Sequence, residues 1–325
     1  MEGAPRGEGS QEGLWGRVVR AVTCSAEATI CRDPVAALAP RGEDDGGDAN
    51  AALEWKATTL VEQGARYTGQ WLGDLRHGEG VLEQADGGCY RGGFRRGKAH
   101  GHGRFMAGNG NVYEGQWDGD RAHGEGAYEK ADGGIYRGQW HQDQKNGVGS
   151  EVWSDGSCYN GEYLGGKKHG HGTYWSPHGI SYEGQFERDK MHGRGVYTFK
   201  DQRKYVGQWR EGHISGHGKM SWPSGATYVG AYSDGLKDGE GRFTWPDGRE
   251  YSGQWSAGLQ HGEGTLTDAG GQTTRGVWQR GELSSALLPN SGARAREGAD
   301  SARGSDSSPS ELSGAGRAGG CYFAS

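Results

Sequence analysis

The sequence predicts an all-β protein, an elongated single-layer antiparallel sheet of consecutive β-hairpins with disordered termini. Three observations predict it. First, Tyr-x-Gly-x-aromatic begins at Tyr67, Tyr90, Tyr113, Tyr136, Tyr159, Tyr182, Tyr205, Tyr228 and Tyr251, in steps of 23 residues without insertion or deletion. A fixed period of this size marks a repeat array. Second, glycine supplies 66 of 325 residues, at set places in the frame and not as collagen-like Gly-x-y triplets. Third, apolar residues are 32% but aromatics 10%, with 12 Trp and 15 Tyr. That is too few aliphatics for a large globular core and too many aromatics for a disordered chain.

Taken in order, residues 1–54 are rich in Gly, Ala, Glu, Asp and Arg and include the acidic Glu43-Asp-Asp-Gly-Gly-Asp48; they read as a disordered leader. Within it, Leu14, Trp15, Val18, Val19 and Val22 fall on one helical face beside Arg17 and Arg20. Segment 14–24 therefore reads either as a short amphipathic membrane anchor with Cys24 open to palmitoylation, or as a hydrophobic patch that docks on the array. Thr58-Thr-Leu-Val-Glu-Gln-Gly64 reads as a strand and turn ending a degenerate copy. The array is assigned to 55–282, with partial copies at both ends, the last being Thr274-Arg-Gly-Val-Trp278.

Within a copy, the alternation Tyr-x-Gly-x-aromatic puts the first, third and fifth places on one face of a strand. A turn follows, and Gly-x-Gly-x-aromatic, as in Gly124-Glu-Gly-Ala-Tyr128, begins the return strand. Asp86-Gly87, Asp132-Gly133, Asp155-Gly156 and Asp247-Gly248 close their copies where a tight hairpin turn needs positive φ. The third-place glycine leaves room for rings to lie over the backbone. About nineteen strands at ~4.8 Å would extend roughly 90 Å. Residues 283–325 are assigned to a short helical cap, ended by Pro289, and a disordered tail.

Five cysteines form no framework. Cys89 and Cys158 hold the same place three copies apart; at two strands per copy they should lie roughly 29 Å apart, which predicts reduced thiols. The chain has no apolar run long enough to span a bilayer.

The frame Tyr-x-Gly-x-Trp, then His-Gly-x-Gly-x-aromatic, then Asp-Gly before the next Tyr, closely resembles the MORN (membrane occupation and recognition nexus) repeat. The resemblance covers about two thirds of the chain. Departures include Asn146, Ser215 and Asp238 at the His place, and Glu151 where an aromatic is expected. Glu151 should not pack, which unsettles the fourth copy's face. By resemblance the family implies scaffolds and tethers, such as junctophilins and radial-spoke-head proteins; some relatives carry an enzyme domain that the short flanks here do not accommodate.

The residues point to no catalysis, no cofactor and no metal site. Six of 12 histidines stand in the His-Gly column, where neighbours lie roughly 10 Å apart, too far to share a zinc ion; they read as turn residues. The near balance of acidic and basic residues in the array argues against nucleic acid as a partner. The surviving candidate is the aromatic face, for a protein partner: Trp117, Trp140, Trp153, Trp175, Phe199, Trp209, Trp222, Trp245 and Trp255. The function expected is a non-catalytic scaffold or adaptor for a cytoskeletal, axonemal or membrane-associated protein. It is expected to be cytoplasmic, at the cytoskeleton or cilium or peripheral on a membrane. The alternative is a phospholipid-binding module that recruits or regulates phosphoinositide-kinase-type machinery through Arg95, Arg96, Lys98, Lys167 and Lys168.

Overall fold

The computed structural model describes residues 52–287. Segment 14–24 with Cys24, the rest of the leader to residue 51, and the tail from 288 lie outside the described residues. What is described is almost wholly antiparallel β-structure, 21 strands with no α-helix among them. Two compact units divide it: 52–133 with 140–143, and 134–139 with 144–287.

The first unit holds β1 (Glu54–Leu60), β2 (Arg66–Leu72), β3 (Leu75–Glu83), β4 (Cys89–Arg95), β5 (Lys98–Met106), β6 (Val112–Asp118) and β7 (Arg121–Glu129). Each pairs antiparallel with the next. The boundary divides β8 (Ile135–His141). The second unit holds β9 (Gln144–Val152), β10 (Cys158–Leu164), β11 (Lys167–Trp175), β12 (Ser181–Glu187), β13 (Lys190–Thr198), β14 (Lys204–Arg210) and β15 (His213–Ser221). It continues with β16 (Thr227–Ser233), β17 (Leu236–Thr244), β18 (Glu250–Ser256), β19 (Leu259–Thr267), β20 (Thr273–Gln279) and β21 (Glu282–Ala286), again paired in sequence order.

Two turn chemistries alternate. Inside a copy, Arg96 (φ 50°) and Gly97 (φ 86°) both take left-handed conformations, the two-residue turn whose twist matches the strands it joins. Between copies the Asp-Gly turn needs positive φ at the glycine, 90° at Gly87 and 81° at Gly156. Its aspartate is a local acceptor: Gly88 N–H donates to Asp86 Oδ1 at 2.9 Å, and Ser157 N–H to Asp155 Oδ1 at 2.8 Å. The tightest turn is thus at the seventh and eighth places and not at Asp-Gly. That inner turn also ties each copy to the one before it. Gly97 N–H donates to Arg76 C=O at 2.8 Å, and Gly258 N–H to Lys237 C=O at 2.9 Å.

The two glycines of Gly-x-Gly have different reasons to be glycine. The first sits at φ 60° in Gly78, inside a bulge of the return strand. There the fourth-place side chain accepts the freed amide, Glu79 N–H donating to Gln70 Oε1 at 2.8 Å. At the second, a Cβ on Gly195 would stand 2.5 Å from Tyr182 Cε2 and Oη. The tyrosine ring lies flat on that backbone.

Two expectations are corrected. The helical cap is instead strand β21, paired with β20. A few residues make a costly helix nucleus, whereas the edge of β20 offers ready backbone partners. Cys89 and Cys158 are both buried and both disulfide-bonded, not reduced thiols. The expectation rested on a straight ladder, an assumption about sheet geometry that a 23-residue period does not contain.

Candidate binding surface

The first-place tyrosines are buried, between 0% and 5% exposed. In every copy the hydroxyl donates to the carbonyl three residues on, for example Tyr67 to Gln70 at 3.0 Å and Tyr182 to Gln185 at 2.8 Å. Burial of the neutral phenol pushes Tyr182, Tyr205 and Tyr251 up to about 12. Within a unit, a ring meets its own copy's fifth-place ring and the next copy's edge-on. In the second unit Tyr159 stands 5.3 Å from Tyr163 and 5.1 Å from Phe186, and Tyr182 stands 5.0 Å from Phe186 and 5.5 Å from Trp209. Such pairs contribute about 0.5–1.5 kcal/mol each beyond area burial. The result is a continuous zipper of rings down one face in each unit.

This zipper absorbs four of the expected partner-binding residues. Trp140, Trp209 and Trp255 are buried and Trp117 half-buried. Trp117, Trp140 and Trp255 donate Nε1–H to Gly103, Gly126 and Gly241 carbonyls at 3.0, 3.1 and 3.0 Å. Their indoles hold the sheet together. Trp153, Phe199, Trp222 and Trp245 form a second tier on the same face, half-buried. They touch the zipper's flank through Tyr174, Tyr197 and Phe243, with Trp245 4.7 Å from Phe243. Trp175 is elsewhere. It pairs across to Cys158 and Ser181 while Tyr174 pairs with Tyr159 and Tyr182, and neighbouring strand residues point to opposite faces.

Arg95, Arg96 and Lys98 surround an inner turn of the first unit, while Lys167 and Lys168 start β11 in the second. Lys168 lies over Trp153 at 4.7 Å and Tyr159 at 5.5 Å, so its charge is engaged by the aromatic face. At the His place, His77 Nδ1 accepts from Arg96 N–H at 3.4 Å, and Asp238 Oδ2 accepts from Ala257 N–H at 3.3 Å. In these two copies the place supplies an acceptor to a backbone amide. Glu187, His192 and Glu211 come close enough to face one cation, but Lys190 Nζ already holds Glu211 at 2.6 Å.

Sequence reasoning missed the tenth place. Its side chains face the zipper, and several are cations: Arg76 over Phe94 at 5.7 Å, Lys145 over Tyr136 at 4.7 Å, Lys237 over Trp255 at 3.9 Å. The signal was period-two alternation, broken by the bulge between the twelfth and fourteenth places. This column also corrects the reading of Glu151, which is buried and packs well. Its carboxylate pairs with Lys145 Nζ at 2.5 Å and accepts from Tyr163 Oη–H at 3.0 Å, an ion pair standing where other copies put a ring.

A family model described as the MORN repeat matches residues 67–89, 90–112, 113–135, 136–158, 159–179, 182–202, 205–227, 228–248 and 251–273. The chain belongs to the MORN repeat family. No curated protein matches it. Among solved structures, the SAS-4 (dCPAP) TCP domain of Drosophila melanogaster, in complex with a proline-rich motif of Ana2 (dSTIL), is 12% identical. That match covers 55% of this chain and 90% of that one at TM-score 0.31. The TCP10 domain of Danio rerio CPAP, in complex with a STIL peptide, is 12% identical over 68% of this chain and 97% of that one at TM-score 0.33. At such scores the likeness carries no functional argument. MORN arrays are in general non-catalytic scaffold or binding modules, and no enzyme family matches the array.

Proposed function

We propose that this MORN array is a non-catalytic scaffold that binds a cytoskeletal, axonemal or membrane-associated protein along its aromatic face. The observation that carries the reading is the second tier. Trp153, Phe199, Trp222 and Trp245 are half-buried beside a zipper already complete without them. Large rings left partly in water on one face are the anchors that protein interfaces favour. The lipid reading draws less support, because Lys168 is held over rings.

The test is affinity capture with the full chain from ciliated cells, comparing wild type with Trp222→Ala/Trp245→Ala. Loss of a specific captured protein at unchanged thermal stability is expected. Retention of every captured protein by the double variant would refute the reading.

A further inference from the structure

The last copies of the second unit differ from the others around Lys237. Its ammonium lies 3.9 Å from the Trp255 ring centre, 4.9 Å from Phe243 and 5.4 Å from Tyr228. Of the other in-facing cations, Lys145 has the Glu151 carboxylate, Arg76 donates to Gly97 C=O at 2.8 Å, and Lys168 lies over Trp153 at 4.7 Å and Tyr159 at 5.5 Å, farther from its rings than Lys237 from Trp255. The Lys237 ammonium has neither an ion pair nor a hydrogen bond among the described residues. The nearby acids are committed elsewhere. Asp238 accepts from Ala257 N–H, Asp247 pairs with Arg249 at 2.8 Å, and Asp268 accepts from Gly270 and Gln272 N–H at 2.9 and 2.8 Å. Glu240 sits on the same strand at a place that pairs with Gln254, away from the rings.

Beside this cation opens a cleft of about 250 Å³, lined by Lys237, Phe243, Trp245, Trp255, Leu259 and Gln260. Leu259, in its lining, is about half exposed. A ring face stabilises an ammonium, but a half-buried charge without an anion still lacks a counter-charge in apolar surroundings. Burial alone lowers Lys237 to about 8. An incoming carboxylate would supply the missing charge in a charge-assisted bond, the stronger kind, while the rings and Leu259 cover an apolar neighbour.

Resting on the protein-binding reading above, we propose that this cleft takes an acidic, apolar segment of the partner protein, one carboxylate meeting Lys237 and an adjacent aromatic or aliphatic side chain lying against Trp245, Trp255 and Leu259. The charge on one side and the apolar wall on the other define the occupant: an Asp or Glu flanked by Leu or Phe. Phosphate esters and fully polar acidic tracts satisfy the cation but leave the wall wet.

The test uses the full chain and a matched pair of capped peptides, Ac-Leu-Asp-Phe-NH2 and Ac-Leu-Asn-Phe-NH2. Binding is read from the indole N–H resonances of Trp245 and Trp255. The aspartyl peptide should bind at least about tenfold tighter at pH 7, the scale of one charge-assisted hydrogen bond. That preference should shrink as pH rises to 9.5 and the ammonium loses its proton. It should vanish in Lys237→Met and persist in Lys237→Arg. Lys237→Met should fold, since Met191 fills the equivalent place in another copy, and Lys219→Met, with its side chain exposed, is the control. Equal binding of the two peptides, no binding of either, or a preference that survives Lys237→Met would overturn the proposal. Because these probes need no cellular partner, their failure is distinguishable from failure of the capture experiment.

Discussion

Replacing Gly195 by Ala tests whether the zipper, and not backbone pairing alone, holds a copy together. The added Cβ would stand 2.5 Å from Tyr182 Cε2 and Oη and 2.6 Å from Cζ, about 1 Å inside ordinary contact. Tyr182 is 1% exposed, so its ring has no solvent to retreat into. Moving it breaks the 2.8 Å bond to the Gln185 carbonyl and the edge contacts with Phe186 and Trp209. Orphaning that buried bond costs about 1–3 kcal/mol. Two weakened ring pairs cost about 0.5–1.5 each, and residual strain about 1–3. Alanine's better strand entropy returns ~0.5–1, leaving a net loss of about 5 kcal/mol. In a repeat array that loss is local, so the assay is amide hydrogen exchange across β12 to β14 of the full chain. Gly270→Ala, whose nearest atom would be Asp268 Oδ1 at 3.3 Å, serves as control. If amides of β12 to β14 in Gly195→Ala keep protection within about 1 kcal/mol of wild type, the close approach of Tyr182 to Gly195 is not what requires glycine there.

Further outcomes separate the roles of similar residues. Tyr205→Phe should destabilise by about 1–2 kcal/mol by orphaning the Gln208 carbonyl, whereas Tyr232→Phe should be neutral or stabilising because its buried hydroxyl has no partner among the described residues; urea titration of both variants checks the contrast. Ala257 holds φ 49°, so Ala257→Gly should raise stability by about 1 kcal/mol, seen as a higher thermal midpoint. Glu151→Gln should cost ~3 kcal/mol by stranding Lys145, while Lys145→Met/Glu151→Leu should fall within ~1 kcal/mol of wild type, measured by exchange in β9 and β10. Alkali should act through the tyrosines. With native values near 12 for Tyr182, Tyr205 and Tyr251 and ~10 when unfolded, the native state holds protons that the unfolded chain has lost between pH 10 and 12. Stability is therefore intact below pH 10 and falls through that window by up to about 1.4 kcal/mol per unit for each tyrosine. Phenolate formation at Tyr182, Tyr205 and Tyr251, read from their own ring resonances, should accompany loss of the β-sheet circular dichroism; phenolate at these three near pH 10 with the fold intact would contradict it.

Much of this was legible because the frame never slips. Tyr-x-Gly-x-Trp declares which side chains share a face, and the structure keeps that order in every copy. The glycine of Asp-Gly at positive φ, as in Gly87 and Gly156, followed from turn chemistry alone. Other features were hidden where local pattern and pairing diverge. The bulge at Gly78 adds residues to one strand against its partner, so counting by twos from the return-strand rings lost the tenth-place cations. Trp175 sits one place from the position of Trp153, Trp222 and Trp245, and in a strand one place means the other face. The 282–286 segment has no strong strand pattern of its own and takes its conformation from the open edge of β20.

By itself, then, the sequence determined the repeat, its all-β nature and the aromatic side, because period and alternation are local properties that every copy states again. Tertiary structure alone decided which rings are sealed and which remain half in water, as with Tyr182 against Trp245. It decided that Glu151 finds Lys145 and that Lys237, among the described residues, finds rings but no acid. Those outcomes depend on what the facing strand and the next copy place opposite a residue, and burial and charge compensation are properties of that meeting.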